Sequence, residues 1–173
     1  MTQTKKVTLA ALTSLALAPT AMAQTRVGSP VSGTVTATTY YSSGAFHGAV
    51  DISTGRCNLD PVLAPFAGAW DLTIRTVGVF CNGNGSGNQN EAKHTFADGR
   101  VFRIWHFIRT ADSYDRTCDT AGCVLGYVGA TGNATSPHVH MQMDKFGTNN
   151  TSWYSSYTTK GEFLDVSETV GYL

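Results

Sequence analysis

Three histidines and one carboxylate stand in two short motifs that are far apart in the sequence. His47 and Asp51 bracket the motif His-Gly-Ala-Val-Asp, and His138 and His140 lie two apart in Ser-Pro-His-Val-His. Three protein ligands with one position left open for water are typical of a catalytic zinc site. Two imidazoles and a carboxylate, with a further histidine beside them, therefore predict metal-assisted hydrolysis.

The second motif predicts a β-strand with two faces. Polar and apolar residues alternate from His138 to Met143, so His138, His140 and Gln142 should share one face. Two strand rises separate the two imidazoles by about 7 Å at the backbone, which lets one bind a metal while the other lies just outside it. Two histidines at this spacing are equally compatible with plain exposed or hydrogen-bonded side chains.

The first motif needs a bend. In a straight strand His47 and Asp51 would be about 13 Å apart. They can share a metal only if the chain turns between them, and Gly48 permits such a turn.

Two further histidines are ambiguous on local pattern. Alternation places His106 on the face of Phe102 and Ile104, which favours a core histidine. His94 is expected to be an exposed strand residue, and no role is assigned to it.

The elements that must position these residues are strands. Short runs rich in Val, Ile, Thr, Phe and Tyr are punctuated by Gly, Pro and Asn, and no long stretch keeps a helical period. This predicts a mostly β single domain with a central antiparallel sheet, a hairpin turn at 97–99 and a mobile surface loop at 82–88. The candidate strands are Val31–Tyr40, Val62–Ala64, Ala69–Val79, Lys93–Phe96, Arg100–Ile108, Val124–Val128 and His138–Asp144.

Residues 1–23 resemble a secretory signal peptide, with Lys5 and Lys6 before an apolar stretch and an Ala-Met-Ala cleavage site; an uncleaved anchor is the alternative. Residues 24–173 would then be the mature domain. Removing two lysines leaves 12 − 2 = 10 basic against 12 acidic residues, a net charge of about −2. We therefore expect no nucleic-acid partner, no membrane association after cleavage, and a secreted, periplasmic or cell-wall location.

Four cysteines in an exported chain predict two disulfides. Order and spacing favour the pairs Cys57–Cys81 and Cys118–Cys123. A cysteine zinc site is the alternative, but the four-residue gap between Cys118 and Cys123 is loose for it.

Several stretches together resemble the lysostaphin/LytM-type zinc endopeptidases. The presence of four cysteines resembles the β-lytic branch of that family more than lysostaphin itself. The resemblance covers roughly residues 27–146 and agrees in order and spacing. The stretches are Phe-His-Gly-Ala-Val-Asp-Ile-Ser at 46–53, Val-Leu-Ala-Pro-Phe-Ala-Gly at 62–68, Ile-Trp-His-Phe at 104–107 and Thr-Gly-Asn-Ala-Thr-Ser-Pro-His-Val-His-Met-Gln at 131–142.

The resemblance implies a role for each matching residue. His47, Asp51 and His140 would bind one zinc ion per chain, and His106 and His138 would be the catalytic histidines beside it. The sequence departs from the family's pattern at three positions that are not ligands: Ser136 replaces a glycine, Gln142 a common glutamate, and Trp70 a small aliphatic residue.

The expected function is that of a secreted zinc metalloendopeptidase that cleaves peptide bonds in peptidoglycan, acting as a monomer. The resemblance implies a narrow groove, for which the segment Cys81–Glu91 and the tail Trp153–Tyr157 are candidate walls; the tail could instead cover the sheet edge. Two alternatives stay open. One is a family member that binds peptidoglycan or regulates an amidase without cleaving, and the other is a general secreted protease with a preference for small residues.

Overall fold

The computed structural model describes residues 24–83, 87–111 and 113–173. The predicted signal peptide and residues 84–86 of the glycine-rich loop lie outside these ranges. Within them the regular structure consists of thirteen strands. In chain order they are β1 (Arg26–Gly28), β2 (Gly33–Ala37), β3 (Val50–Ser53), β4 (Pro61–Leu63), β5 (Gly68–Thr73), β6 (Glu91–Thr95), β7 (Arg100–Trp105), β8 (Arg116–Cys118), β9 (Val124–Tyr127), β10 (Val139–Lys145), β11 (Thr148–Asn149), β12 (Phe163–Leu164) and β13 (Thr169–Tyr172).

Nine of these strands, counted over the described residues, form one antiparallel sheet. Its order is β12-β2-β3-β10-β7-β6-β5-β8, with the short β11 paired to β10. The strand pairs β1–β13 and β4–β9 lie outside this sheet. The prediction of a mostly β domain with a central antiparallel sheet is confirmed. The described residues contain no helix suited to crossing a membrane.

Every predicted strand overlaps an observed one, but several boundaries differ. The segment predicted at Ala69–Val79 ends as a strand at Thr73, and β2 covers only Gly33–Ala37 of the longer predicted run. The hairpin turn at 97–99 joins β6 to β7, where Gly99 donates a backbone hydrogen bond of 3.0 Å to the carbonyl of Phe96. Strand β3, which carries Asp51, was not predicted because it is only four residues long and follows a glycine bend.

The core lies on the face of the sheet opposite to the histidines. Val139, Met141 and Met143 of β10 are 0–2% exposed, as their alternation predicts. Trp70, the bulky departure from the family pattern, is 1% exposed and packs against Phe66 with ring centroids 5.0 Å apart. Its indole therefore fills the core and does not reach the site.

Two disulfides link the described cysteines, and both predicted pairs are confirmed. The Cα atoms are 5.7 Å apart in Cys57–Cys81 and 6.0 Å apart in Cys118–Cys123. Cys57–Cys81 joins the segment that follows β3 to the base of the glycine-rich loop. It thereby ties the strand that carries Asp51 to a loop that borders the site.

Candidate metal centre

Strand register brings the two motifs together. In the sheet β10 lies between β3 and β7, and His140 is directly opposite Asp51 on one side and Trp105 on the other. Directly opposed residues in an antiparallel pair have Cβ atoms about 5 Å apart on the same face. The register therefore places the Asp51 carboxylate against the His140 imidazole.

His47 joins them through the predicted bend. Gly48 has φ = +73°, and a Cβ at this position would lie 2.7 Å from the Asn149 amide nitrogen and 2.8 Å from the Phe46 ring. Only glycine fits this conformation and this space. The turn returns the His47 ring to the site, and the backbone N–H of His47 donates to the Thr39 carbonyl at 2.9 Å.

Three atoms from these residues converge on one point. His140 Nδ1 is 2.9 Å and His47 Nε2 is 3.2 Å from Asp51 Oδ1, and the two nitrogens are 3.2 Å apart. Tetrahedral zinc ligands at bond lengths of 2.0–2.1 Å are separated from one another by about 3.3 Å. The observed triangle thus has nearly the spacing of three zinc ligands.

The orientation of the His47 ring follows from its outer contact. His47 Nδ1 lies 2.7 Å from the carbonyl oxygen of Thr38. A carbonyl can only accept, so Nδ1 carries the proton, and in the neutral ring Nε2 presents its lone pair to Asp51.

The orientation of the His140 ring follows from the amide of Gln142. Gln142 Nε2 donates to Asp144 Oδ1 at 2.6 Å and to Asn149 Oδ1 at 2.8 Å, which leaves Gln142 Oε1 to face His140 Nε2 at 3.2 Å. An amide oxygen only accepts, so His140 donates from Nε2 and its Nδ1 lone pair faces Asp51. Gln142 thus fills the outer position at the imidazole that a glutamate would otherwise occupy.

Three lone-pair atoms therefore face one another in a buried place. His47, Asp51 and His140 are only 6–7% exposed. Such an arrangement is repulsive unless a cation stands between the atoms, either a proton or a metal ion. The donor set and its spacing fit zinc.

The electrostatics of the cluster agree with a cation site. Burial alone would raise the pKa of Asp51, but in the metal-free protein the hydrogen bonds that His140 and His47 donate when their rings are protonated outweigh it and hold that pKa well below its usual value. Burial alone would lower the pKa of His47, but the hydrogen bond and charge of Asp51 outweigh it and raise that pKa. The carboxylate is therefore charged at neutral pH and attracts positive charge to this point.

His106 and His138 lie beside the cluster. Their ring centroids are 4.8 Å apart, and His138 Nε2 is 3.7 Å from Asp51 Oδ1. With His140 they form a second group whose nitrogens all lie within 4.8 Å of one another. His138 immediately precedes β10, one residue short of its predicted place in the strand, and it is the most exposed member of the group.

The prediction from strand alternation that His106 lies in the core is wrong. Strand β7 ends at Trp105, and His106 has φ = +74°, an uncommon conformation for a residue with a side chain. The strand pattern therefore stops one residue before His106, and its ring borders the cavity instead of joining Phe102 and Ile104. Its Nδ1 donates to the Thr131 carbonyl at 2.7 Å.

Both outer histidines present an Nε2 lone pair to the cavity. His138 Nδ1 donates to the Ser136 carbonyl at 2.8 Å, as His106 Nδ1 does to that of Thr131. Burial, followed by repulsion from the His138 ring when that ring is protonated, lowers the pKa of His106 to about 4. His106 is therefore neutral at physiological pH and able to accept a proton or a hydrogen bond.

His106, His138 and His140 line a cavity of about 660 Å³. Gly87 and Gln89 line it, so two residues of the segment Cys81–Glu91 form part of its wall, as predicted for this segment. The tail Trp153–Tyr157 does not border this cavity. Trp153 is 1% exposed and packs on Phe102 in the middle of the sheet, whereas Tyr157 is 49% exposed and contacts the ring of Tyr172. His94, predicted to be exposed, is half-buried against Phe66.

Trp105 and Tyr41 are site residues that motif reasoning missed. The Trp105 ring stacks on His140 at 4.7 Å with an interplanar angle of 7°, and its N–H donates to buried Glu91 at 2.7 Å. The Tyr41 ring is 4.3 Å from that of His47 and lines the cavity. Alternation carries a signal for Trp105, because it stands on the strand face opposite the core residue Ile104.

No protein-family model matches the chain, and comparison with curated protein sequences finds no match either. The fold is similar to a solved structure, a substituted form of the catalytic domain of EnpA, a prophage-encoded M23 protein of Enterococcus faecalis. The TM-score is 0.51, the identity is 20%, and the likeness covers 68% of this chain and 87% of that one. At this identity the likeness is one of fold. The chain therefore shares its fold with the catalytic domain of that M23 protein, which supports the resemblance to the lysostaphin/LytM-type enzymes at the level of fold.

Proposed function

We propose that the chain is a zinc-dependent endopeptidase that hydrolyses peptide bonds of bacterial peptidoglycan. The observation that carries the proposal is the convergence of three lone-pair atoms, from His47, Asp51 and His140, at the spacing of zinc ligands. The cluster borders an open cavity, and the fold is similar to that of the catalytic domain of an M23 protein.

The three residues would hold zinc through His47 Nε2, Asp51 Oδ1 and His140 Nδ1, and the outer contacts of the two imidazoles fix which of their nitrogens presents a lone pair. Bound there, zinc would act as a Lewis acid and lower the pKa of a water molecule to about 7.

His106 and His138 supply the proton chemistry. Each holds its Nδ1 proton on a backbone carbonyl, so each presents Nε2 to the cavity as an acceptor. One Nε2 takes a proton from the attacking water, and the ring that becomes protonated can then donate to the oxyanion or to the leaving amine. Two acceptors within one cluster allow the proton to be taken and returned without a glutamate.

The location follows from the same proposal. Two disulfides require an oxidising compartment, and peptidoglycan lies outside the cytoplasm. We propose that the protein is exported, acts as a monomer in the periplasm or at the cell wall, and has no nucleic-acid partner.

The test combines metal content with product analysis. The purified protein is expected to contain about one zinc per chain and to release new amino groups from purified peptidoglycan, with the cleaved bond identified by mass spectrometry. Chelation should abolish the release, and added zinc should restore it. His94→Gln is the matched control, because His94 lies outside the site and its replacement should change neither zinc content nor release.

Two results would replace the proposal. A zinc-loaded protein that binds peptidoglycan but releases no amino groups from any cell wall or peptide would make it a non-catalytic binding protein. Efficient cleavage of casein or elastin with intact walls left untouched would make it a general protease.

A further inference from the structure

A row of four directly opposed residues crosses the sheet at the candidate metal centre. Glu91 on β6 lies opposite Trp105 on β7, and Trp105 lies opposite His140 on β10. His140 in turn lies opposite Asp51 on β3. Directly opposed residues of antiparallel strands place their side chains on one face of the sheet, with Cβ atoms about 5 Å apart. The Trp105 side chain thus lies between Glu91 and a proposed metal ligand, and Glu91 is not one of the described residues that line the cavity.

The Trp105 ring covers the face of the His140 imidazole. The ring centroids are 4.7 Å apart, and the angle between the planes is 7°. Gln142 Oε1 contacts the edge of the same imidazole, at His140 Nε2, at 3.2 Å. A ring held only at one edge can pivot about that hydrogen bond, whereas a ring packed flat on a neighbour loses contact when it tilts. The direction of the His140 Nδ1 lone pair therefore depends on where the Trp105 ring lies.

Glu91 determines where the Trp105 ring lies. The indole Nε1 of Trp105 donates to Glu91 Oε2 at 2.7 Å, and the Arg103 guanidinium donates to the same oxygen at 2.9 Å. The indole has a single donor, so this hydrogen bond fixes the rotation of the ring. Glu91 is only 8% exposed, and hydrogen bonds to a charged acceptor are stronger than those between neutral groups.

A second route leads from Glu91 to the other contact of the imidazole. Arg103 Nε donates to Asp144 Oδ2 at 2.8 Å, and Gln142 Nε2 donates to Asp144 Oδ1 at 2.6 Å. Gln142 then contacts His140 Nε2 through its Oε1. The contacts of Glu91 thus reach the face of the imidazole by one route and its edge by the other. Such a closed circuit of hydrogen bonds and packing resists displacement of any one member.

We propose that Glu91 is a positioning residue of the metal centre. It fixes the Trp105 ring on the face of His140 and thereby directs the His140 Nδ1 lone pair at the metal. It acts through the indole N–H and does not itself bind the metal. This inference rests on the proposed function, because it takes the cation at His47, Asp51 and His140 to be zinc.

The experiment compares two replacements of Glu91 that remove the same charge. Glu91→Met also removes the acceptor of the indole N–H, and it should weaken zinc binding about 10-fold in a chelator competition on the protein with its disulfides intact. Glu91→Gln is the matched control, because it keeps an oxygen that can accept this hydrogen bond, and its zinc affinity should stay within about threefold of the wild type. Equal losses in the two variants would mean that only the charge of Glu91 matters, and would overturn the inference.

A double-mutant cycle tests the route through the indole. Trp105→Phe keeps an aromatic ring but has no N–H to donate, and it should weaken zinc binding by a similar factor of about 10. Glu91→Met in that background should weaken binding by less than about twofold more, because the hydrogen bond that it would remove is already absent. Independent losses, which multiply to about 100-fold, would mean that Glu91 acts by another route.

Urea unfolding of the metal-free variants separates positioning from folding. Trp105→Phe leaves the hydrogen bond between Arg103 and Glu91 in place, so it still tests the inference if Glu91→Met does not fold. Unchanged zinc affinity in folded Trp105→Phe protein would overturn the inference.

Failure of the inference and failure of the proposed function have different signatures. Zinc affinity that the Glu91 and Trp105 variants leave unchanged would remove the positioning role and leave the peptidase. Weaker zinc binding in these variants, from a wild type that hydrolyses no peptide, would leave the positioning role and remove the peptidase. A raised KM at unchanged zinc affinity would mean that Glu91 places Trp105 for substrate, and the inference would be wrong. A wild type that binds no zinc would remove both.

Discussion

The buried side chain of Asn90 should be among the most costly to remove in this protein. It is fully buried and uses its whole hydrogen-bonding capacity. Its Oδ1 accepts from the backbone N–H groups of Arg75 and Thr76 at 2.9 Å each, and its Nδ2 donates to the carbonyls of Thr76 at 3.0 Å and Phe107 at 2.9 Å.

The same residue connects the elements that hold His106. The backbone N–H of Asn90 donates to the Thr131 hydroxyl at 3.0 Å, and its carbonyl accepts from the His106 N–H at 3.2 Å. Asn90 therefore ties the beginning of β6 to the strained turn after β7 and to the loop whose Thr131 carbonyl accepts the hydrogen bond from His106 Nδ1.

The magnitude follows from the four lost side-chain bonds. Each contributes about 1 kcal/mol net, and more where the partner remains buried without replacement. Asn90→Ala should thus lower the free energy of unfolding by about 3–5 kcal/mol, a large part of the roughly 5–15 kcal/mol typical of a domain.

The assay is urea unfolding of the metal-free protein with the disulfides intact, because bound metal would add its own stabilisation. Asn88→Ala is the matched control, since Asn88 is exposed in the same segment and its replacement should cost less than about 0.5 kcal/mol. A loss below about 1 kcal/mol for Asn90→Ala would refute the reasoning, because it would mean that the four bonds are replaced by water at no cost.

Three further predictions concern the metal centre. His140→Ala should lose zinc, whereas His138→Ala should keep about one zinc per chain and lose peptide hydrolysis. Metal analysis combined with an amino-group assay distinguishes the two variants. Zinc loss in both variants would contradict the division into a metal ligand and a proton acceptor. Gln142→Met removes the acceptor that orients His140 and should weaken zinc affinity about 10–100-fold in a chelator competition. Equal affinity of the Met variant would speak against the orienting role. In the metal-free protein, the lowering of the His106 pKa from 6.5 to about 4 means that the unfolded chain binds a proton which the folded protein excludes. The associated stability is present above pH 6.5 and is lost as the pH falls from 6.5 to 4, on the order of 3 kcal/mol in full. His106→Asn should flatten this part of the stability profile measured by urea unfolding, and an unchanged profile would rule out His106 as its source.

Much of the site could be predicted from residue types and local geometry. Zinc chemistry selects His and Asp, so the motifs at 47–51 and 138–140 stand out, and only a glycine between His47 and Asp51 permits the bend that the metal requires. The alternation of β10 fixes which side chains face the core, because successive residues of a strand point to opposite faces. Order and spacing favour one of the three possible disulfide pairings, and the structure shows the same two pairs.

The tertiary structure decided those features of the site that depend on contacts between residues distant in the sequence. The register that sets His140 against Asp51 and Trp105 exists only once β10 is paired between β3 and β7. Local alternation assigned His106 to the core, because it assumes that a strand continues, whereas a left-handed residue held by Asn90 and Thr131 ends this one. The proton position on His47 depends on the Thr38 carbonyl, nine residues away, whereas that on His140 depends on the amide of Gln142 on the same strand. The sequence thus determines which atoms can bind a metal, and the fold determines that they meet and which of their nitrogens are free to bind it.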